Sequence, residues 1–166
     1  MLYRKGGHLQ GGAKREEENM TEQIQVEIGV LITKEDQVLL MKRRNVHGDG
    51  TWAPPRGHLG YCESLEACAA RETQEEIGIT ISDVTFLAIT NDVFEEQHYV
   101  TIWTAGRHVS GEPAMNATQE MSVAGWFAWD TLPEPLFSPF ENLLTGQCYP
   151  ALWDFSGGGK RVWHEQ

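Results

Sequence analysis

The stretch GHLGYCESLEACAARETQEEIGI, residues 57–79, carries the reading of this chain. Ser64 stands where a helix N-cap belongs and Gly78 where a left-handed residue ends a helix, so a helix is predicted over 64–77. At 100° per residue, Ala67, Ala70, Thr73 and Ile77 share one face, predicted to pack on a sheet. Glu72, Glu75 and Glu76 gather on the opposite side. That arrangement is poor for a surface helix. Glu72 and Glu76 are like charges at i,i+4, a cost of about 0.2–0.5 kcal/mol. Glu75 and Glu76 also sit in the last turn, where the helix dipole disfavours anions by about 0.3–1 kcal/mol. Carboxylates grouped against both effects point to a hard divalent cation held by oxygen ligands on one rigid face.

Outward from this helix, strand and helix signals alternate. Residues 25–32 and 37–42 are apolar or β-branched runs separated by the polar turn Lys34-Glu35-Asp36, which predicts a hairpin. Residues 43–60 are glycine-rich and contain Pro54-Pro55, which reads as loop. Residues 84–91 and 98–105 read as strands joined through Glu95-Glu96-Gln97, and 125–129 as a short strand before Leu132-Pro133. A second helix is predicted over 139–145, stopped by Gly146. The fold class is therefore α/β, with a mixed sheet and few helices. One domain is expected over residues 23–155, between a polar, flexible N-terminal segment (1–22) and a glycine-rich flexible tail (156–166).

Composition narrows the function. The net charge is −11, from 24 acidic and 13 basic residues, which disfavours nucleic-acid polymers as ligands. The same field would repel a free phosphate ester unless cations lie between protein and substrate. No run of about 18 apolar residues suggests a membrane span and no secretory signal is visible, so a cytoplasmic location is expected. Cys62, Cys68 and Cys148 match no metal-ligand spacing and read as reduced thiols.

Gly57, five residues, Glu63, seven residues, then Arg71-Glu72-Thr73-Gln74-Glu75-Glu76-Ile77-Gly78-Ile79 resembles the Nudix signature GX5EX7REUXEEXGU, U being bulky and apolar. Only Thr73, at an apolar position, departs from it. If each fixed residue occurs at about 6–7 %, the odds of a chance match are on the order of 10⁻⁸ per starting position. The resemblance implies an α/β/α sandwich with a central mixed sheet and a loop–helix–loop box. It implies Mg²⁺ or Mn²⁺ as cofactor, with Glu72, Glu75 and Glu76 as metal ligands and the Gly57 carbonyl completing the sphere. Glu72 or Glu76 would orient the attacking water, and Glu63 and Arg71 would hold loop and helix in register. Relatives often add a later glutamate as base or further ligand; Glu120 is the first candidate here, ahead of Glu95 and Glu96. Cys62 stands where a glycine often precedes the box glutamate.

For the substrate, Leu39–Arg44, Gly50-Thr51-Trp52, His98–Thr101 and Trp126–Pro133 are similar to MutT-like members that split nucleoside triphosphates, ordinary or oxidised, into monophosphate and pyrophosphate. Pro55-Arg56-Gly57-His58 is instead similar to the PKGH-like sequence of dinucleoside-polyphosphate hydrolases, and ADP-ribose or nucleotide sugars stay open as alternatives. Arg56 and one of Arg43 and Arg44 are candidates for phosphate, and Trp52 and His98 for the base. A small-molecule nucleotide is thus the expected partner, and by analogy with relatives the chain is expected to pair as a homodimer.

Overall fold

The computed structural model describes residues 23–94, 97–114, 116 and 119–150, so the expected flexible ends and Glu95 and Glu96 lie outside the described residues. Strands β1 (Ile24–Lys34) and β2 (Gln37–Arg43) form the predicted hairpin, turning at Glu35-Asp36 with Glu35 at φ 54°. Short strands β3 (Trp52–Ala53) and β4 (Arg56–His58) follow, then helix α1 (Leu65–Ile77). Long strands β5 (Thr80–Phe94) and β6 (Gln97–Ser110) precede β7 (Met121–Ala128) and the short helix α2 (Ser138–Leu144).

The strands form one mixed sheet in the order β3-β2-β1-β6-β5, with β4 on β1 and β7 on β2. β1 and β6 run parallel, in register from Ile24 with His98 to Thr33 with Arg107; the other strand pairs are antiparallel. Alternation along β1 feeds both faces. Ile28, Val30 and Ile32 pack with Cys68, Ala69 and Ile77 of α1. Leu31 packs with Trp103 of β6 and with Phe140 and Leu143 of α2. The result is an α/β/α sandwich, as the box implies.

Three readings need correction. The region 43–60 is not all loop: Arg56–His58 pairs with Gly29–Glu27 on β1, a three-residue ladder too short to show as a period. β5 starts at Thr80, not 84, because register shifts at Thr80/Ile81, Ser82/Thr85 and Phe86/Ala88 break the alternation that marks a strand. On α1, Ala67 and Ala70 are exposed; the buried face is Cys68, Ala69, Thr73 and Ile77, rotated by one to two residues from the expected one. Glu72 and Glu76 therefore border the packed face instead of pointing away from it. Thr73 fits its apolar place because its hydroxyl donates to the Ala69 carbonyl (2.7 Å), leaving the side chain fully buried.

Candidate active site

Helix α1 is fixed at both ends. The Ser64 hydroxyl accepts from the Ala67 amide (3.2 Å), and Gly78 takes the left-handed conformation at φ 69°. With no basic residue in the last turn, its carbonyls are met by chain from beyond β6: the amides of Ala114 and Asn116 donate to Ile77 and Glu76, both at 2.9 Å. The turn before the helix is closed by Glu63, which accepts from the Gly60 amide at 2.9 Å. Cys62 in that turn sits at φ 59°, a region glycine tolerates and cysteine does not favour. Cys62→Gly is accordingly expected to stabilise the fold by about 0.5 kcal/mol, relief of left-handed strain exceeding the added chain entropy, measured by denaturant unfolding.

Arg71 is the hub of the loop–helix junction. Its guanidinium makes two 2.8 Å bonds to Glu63, one of 2.6 Å to Glu72, a longer one of 3.3 Å to Glu75, and one to the His58 carbonyl. Arg71 holds the Glu63 carboxyl down at about 2, with the Gly60 amide adding to the effect. Glu63 and Arg71 therefore meet each other and tie the loop to the helix.

Glu76 has the opposite environment. Burial raises its carboxyl to about 8; the charges of Glu72 and Glu120 push the same way, while the Arg56 amide (3.1 Å) and the charge of Arg43 oppose it. Glu72 lies against Gly57, and a Cβ on Gly57 would land on the Glu72 carboxyl, so the glycine makes the room this carboxylate occupies. Glu75 is well exposed at the rim. Glu120, just before β7, is exposed, yet its charge acts on Glu76 and Arg43. The fold thus brings Glu72, Glu76 and Glu120 into one anionic region. Among the described residues no three His, Cys, Asp or Glu side chains converge as a ready-made ligand set. A desolvated Glu76 carboxyl with Glu72 beside it, on a cradle kept open by Gly57, suits a hard divalent cation.

The candidate substrate contacts separate. Arg43 is within electrostatic reach of Glu76 and Glu120: its Nε donates to the His47 carbonyl (2.8 Å) and its guanidinium lies 4.3 Å from the centre of the Phe137 ring, whereas Arg44 is exposed. Arg56 is buried and also lies over Phe137, 4.5 Å from the ring centre, in an ion pair with Glu27. Desolvation lowers the Arg56 guanidinium to about 10. Arg56 is therefore no free hook for a phosphate at the protein surface. Trp52 packs in the α2-side core with its ring edge on Phe127, at 5.0 Å, which makes it an anchor for the loop. His98 alternates with Tyr99 on β6, so it points to the sheet face away from Arg56 and bonds Asn91 at 2.6 Å. Sequence reasoning passed over Phe137, Glu27 and Asp92. Phe137 looked like an ordinary loop aromatic, and the two acids sit inside strands whose partners only the fold supplies.

A family model for the NUDIX domain matches residues 23–148. The chain belongs to the Nudix family. It is 31 % identical over 104 residues to the NAD-capped RNA hydrolase NudC of Pseudomonas aeruginosa, covering 63 % of this chain and 36 % of that protein. It is 27 % identical over 113 residues to the 8-oxo-dGDP phosphatase NUDT18 of Mus musculus, covering 67 % and 34 %. The chain thus spans about a third of the length of these curated relatives. A MutT NUDIX hydrolase from Burkholderia pseudomallei superposes with a TM-score of 0.68 at 31 % identity, over 73 % of this chain and 96 % of that one. No described helix is long and apolar enough to cross a membrane.

Proposed function

We propose that this domain hydrolyses a phosphoanhydride bond in a nucleoside-diphosphate-linked substrate, with a nucleoside triphosphate, ordinary or oxidised, as its first substrate and monophosphate and pyrophosphate as products. The observation that carries this reading is the anionic region of Glu72, Glu76 and Glu120, with Glu72 seated against Gly57 and Arg43 within electrostatic reach of Glu76 and Glu120. Glu72, Glu75 and Glu76, with Glu120 and the Gly57 carbonyl, would hold Mg²⁺ or Mn²⁺. A divalent ion bound there offsets the acidic field, polarises phosphorus and lowers the pKa of a bound water. The residues themselves do little covalent work and mainly position groups. Arg43 has no carboxylate within ion-pair distance among the described residues, and it orients the phosphate chain. Glu76, as a carboxylate beside the cation, orients the attacking water. Glu63 and Arg71 keep loop and helix in place.

The similarity to a MutT protein over most of both chains supports a triphosphate. The relatives named for NAD-capped RNA and 8-oxo-dGDP keep a dinucleoside link and a diphosphate within reach. A substrate panel with Mg²⁺ or Mn²⁺, products resolved by chromatography, tests the assignment. Pyrophosphate release from at least one triphosphate, abolished by a chelator, is the expected result. Two monophosphates from ADP-ribose or a dinucleotide, with triphosphates untouched, would replace it with the dinucleoside-type reaction. An intact panel would overturn hydrolysis altogether.

A further inference from the structure

Beside the Glu27 carboxylate, which the Arg56 ion pair accounts for, the α2-facing side of the sheet holds three buried polar groups with valences the protein leaves open. Asp92 on β5 accepts from the Asn142 amide of α2 with one carboxylate oxygen (2.6 Å), while Oδ2 has no partner. Asp92 is 3 % exposed. The Thr101 hydroxyl on β6 is fully buried and also unpartnered. Arg56 pairs with Glu27, yet its Nη1 has no acceptor. Register places Glu27, Thr101 and Asp92 in one row, and Arg56, opposite Gly29 on β4, joins it through its ion pair with Glu27. Glu27 lies beside Thr101 on the parallel pair, Thr101 opposite Thr90, and Asp92 opposite Tyr99, diagonal to Thr101. From β1 to β5 this row spans two strand spacings, about 10 Å. Its chemistry reads in order: a donor from Arg56, a hydroxyl that gives or takes, and an acceptor-only carboxylate. Buried groups of this kind are nearly always partnered, and three adjacent exceptions call for an occupant.

We infer that Arg56, Thr101 and Asp92 read the edge of the nucleobase, with a carbonyl of the base on Arg56 and an amino group on Asp92. This rests on the substrate being a nucleotide. Guanine presents carbonyl, N–H and amino group in that order; cytosine presents carbonyl, ring nitrogen and amino group, with the Thr101 hydroxyl turned to donate. Uracil and thymine set a second carbonyl against the carboxylate, and adenine has no carbonyl for Arg56. Asp92 and Thr101 are specificity-determining residues in this assignment, and guanine and cytosine nucleotides are the preferred class.

Binding of the four nucleoside 5′-monophosphates to the whole chain in chelator, followed by ligand-observed NMR, separates base reading from hydrolysis. The guanine and cytosine compounds are expected to bind at least about tenfold tighter than the adenine and uracil ones, since a mismatch leaves buried polar groups unpaired. In Asp92→Asn the bond with Asn142 holds the new carbonyl and turns the amide NH₂ to the base. Preference should then move to uracil, with guanine and cytosine losing about tenfold or more. Thr101→Val, which deletes an unpartnered hydroxyl, should weaken guanine and cytosine selectively without lowering the melting temperature. Equal affinity for all four bases in the parent chain, or losses that fall equally on all four in both variants, would overturn the assignment even if triphosphates are hydrolysed. Base-selective binding that the variants alter, without any hydrolysis, would sustain it while removing the proposed activity.

Discussion

Glu76→Gln is expected to lower turnover by about 10²–10⁴-fold and, in the metal-free protein, to raise stability at the same time. The loss follows from removing a charged oxygen from the place where water and cation are to be positioned. The gain follows from the cost of ionising Glu76, whose carboxyl is pushed up to about 8 by burial and by Glu72 and Glu120. The folded chain then keeps a proton that the unfolded chain surrenders near pH 4.5. The stability tied to that proton is full below the unfolded value and is lost as pH climbs toward 8. Glutamine stays neutral and can still accept from the Arg56 amide, so the decline should flatten and the variant should be about 1–3 kcal/mol more stable at pH 8, partial exposure reducing the full linkage. Denaturant unfolding in chelator at pH 5 and pH 8, set beside turnover, checks both halves. A variant that is inactive and less stable at pH 8 would show that Glu76 acts as a packing residue.

Gly57→Ala is the second large effect. The added methyl would occupy the position of the Glu72 carboxyl, which would have to swing out and break its 2.6 Å bond with Arg71. Overpacking of this kind costs about 1–3 kcal/mol, and a misplacement near 1 Å about 10²-fold in rate. Metal dependence should weaken in parallel, seen as a higher Mg²⁺ concentration for half-maximal activity. Full activity in this variant would mean that Glu72 does not need its present seat.

Much of this was legible because local rules coincide in one stretch. Ser64, Gly78 and the spacing of Glu63, Arg71, Glu72, Glu75 and Glu76 mark a helix, its caps and its chemistry within 23 residues. The rotation of the buried face was not legible. Ala67 and Ala70 suit burial as well as Cys68 and Ala69 do, and only the sheet beneath decides between them. The substrate side was harder still. Arg56 beside the box looked like a phosphate hook, but its partner Glu27 lies on β1, 29 positions earlier, and alternation along β1 gives no hint of that pair. His98 and Trp52 show a related limit: residue type suggests base contacts, whereas strand parity and core packing assign the directions of the side chains. Glu120 stands out in the sequence by its place before a strand, and its electrostatic reach to Glu76 depends on β7 docking on β2.

The parallel pairing of β1 with β6 also sets a timetable for assembly. The acidic helix is complete once residue 78 has left the ribosome, but the strand that flanks β1 on its far side ends at Ser110. Until then the glutamates have only a partial platform, and apolar β1 residues such as Leu31 wait for Trp103. Such distant pairing slows folding and leaves an exposed edge in the interval. Chains cut between residues 80 and 97 should therefore aggregate or be degraded and should not yield a small functional fragment.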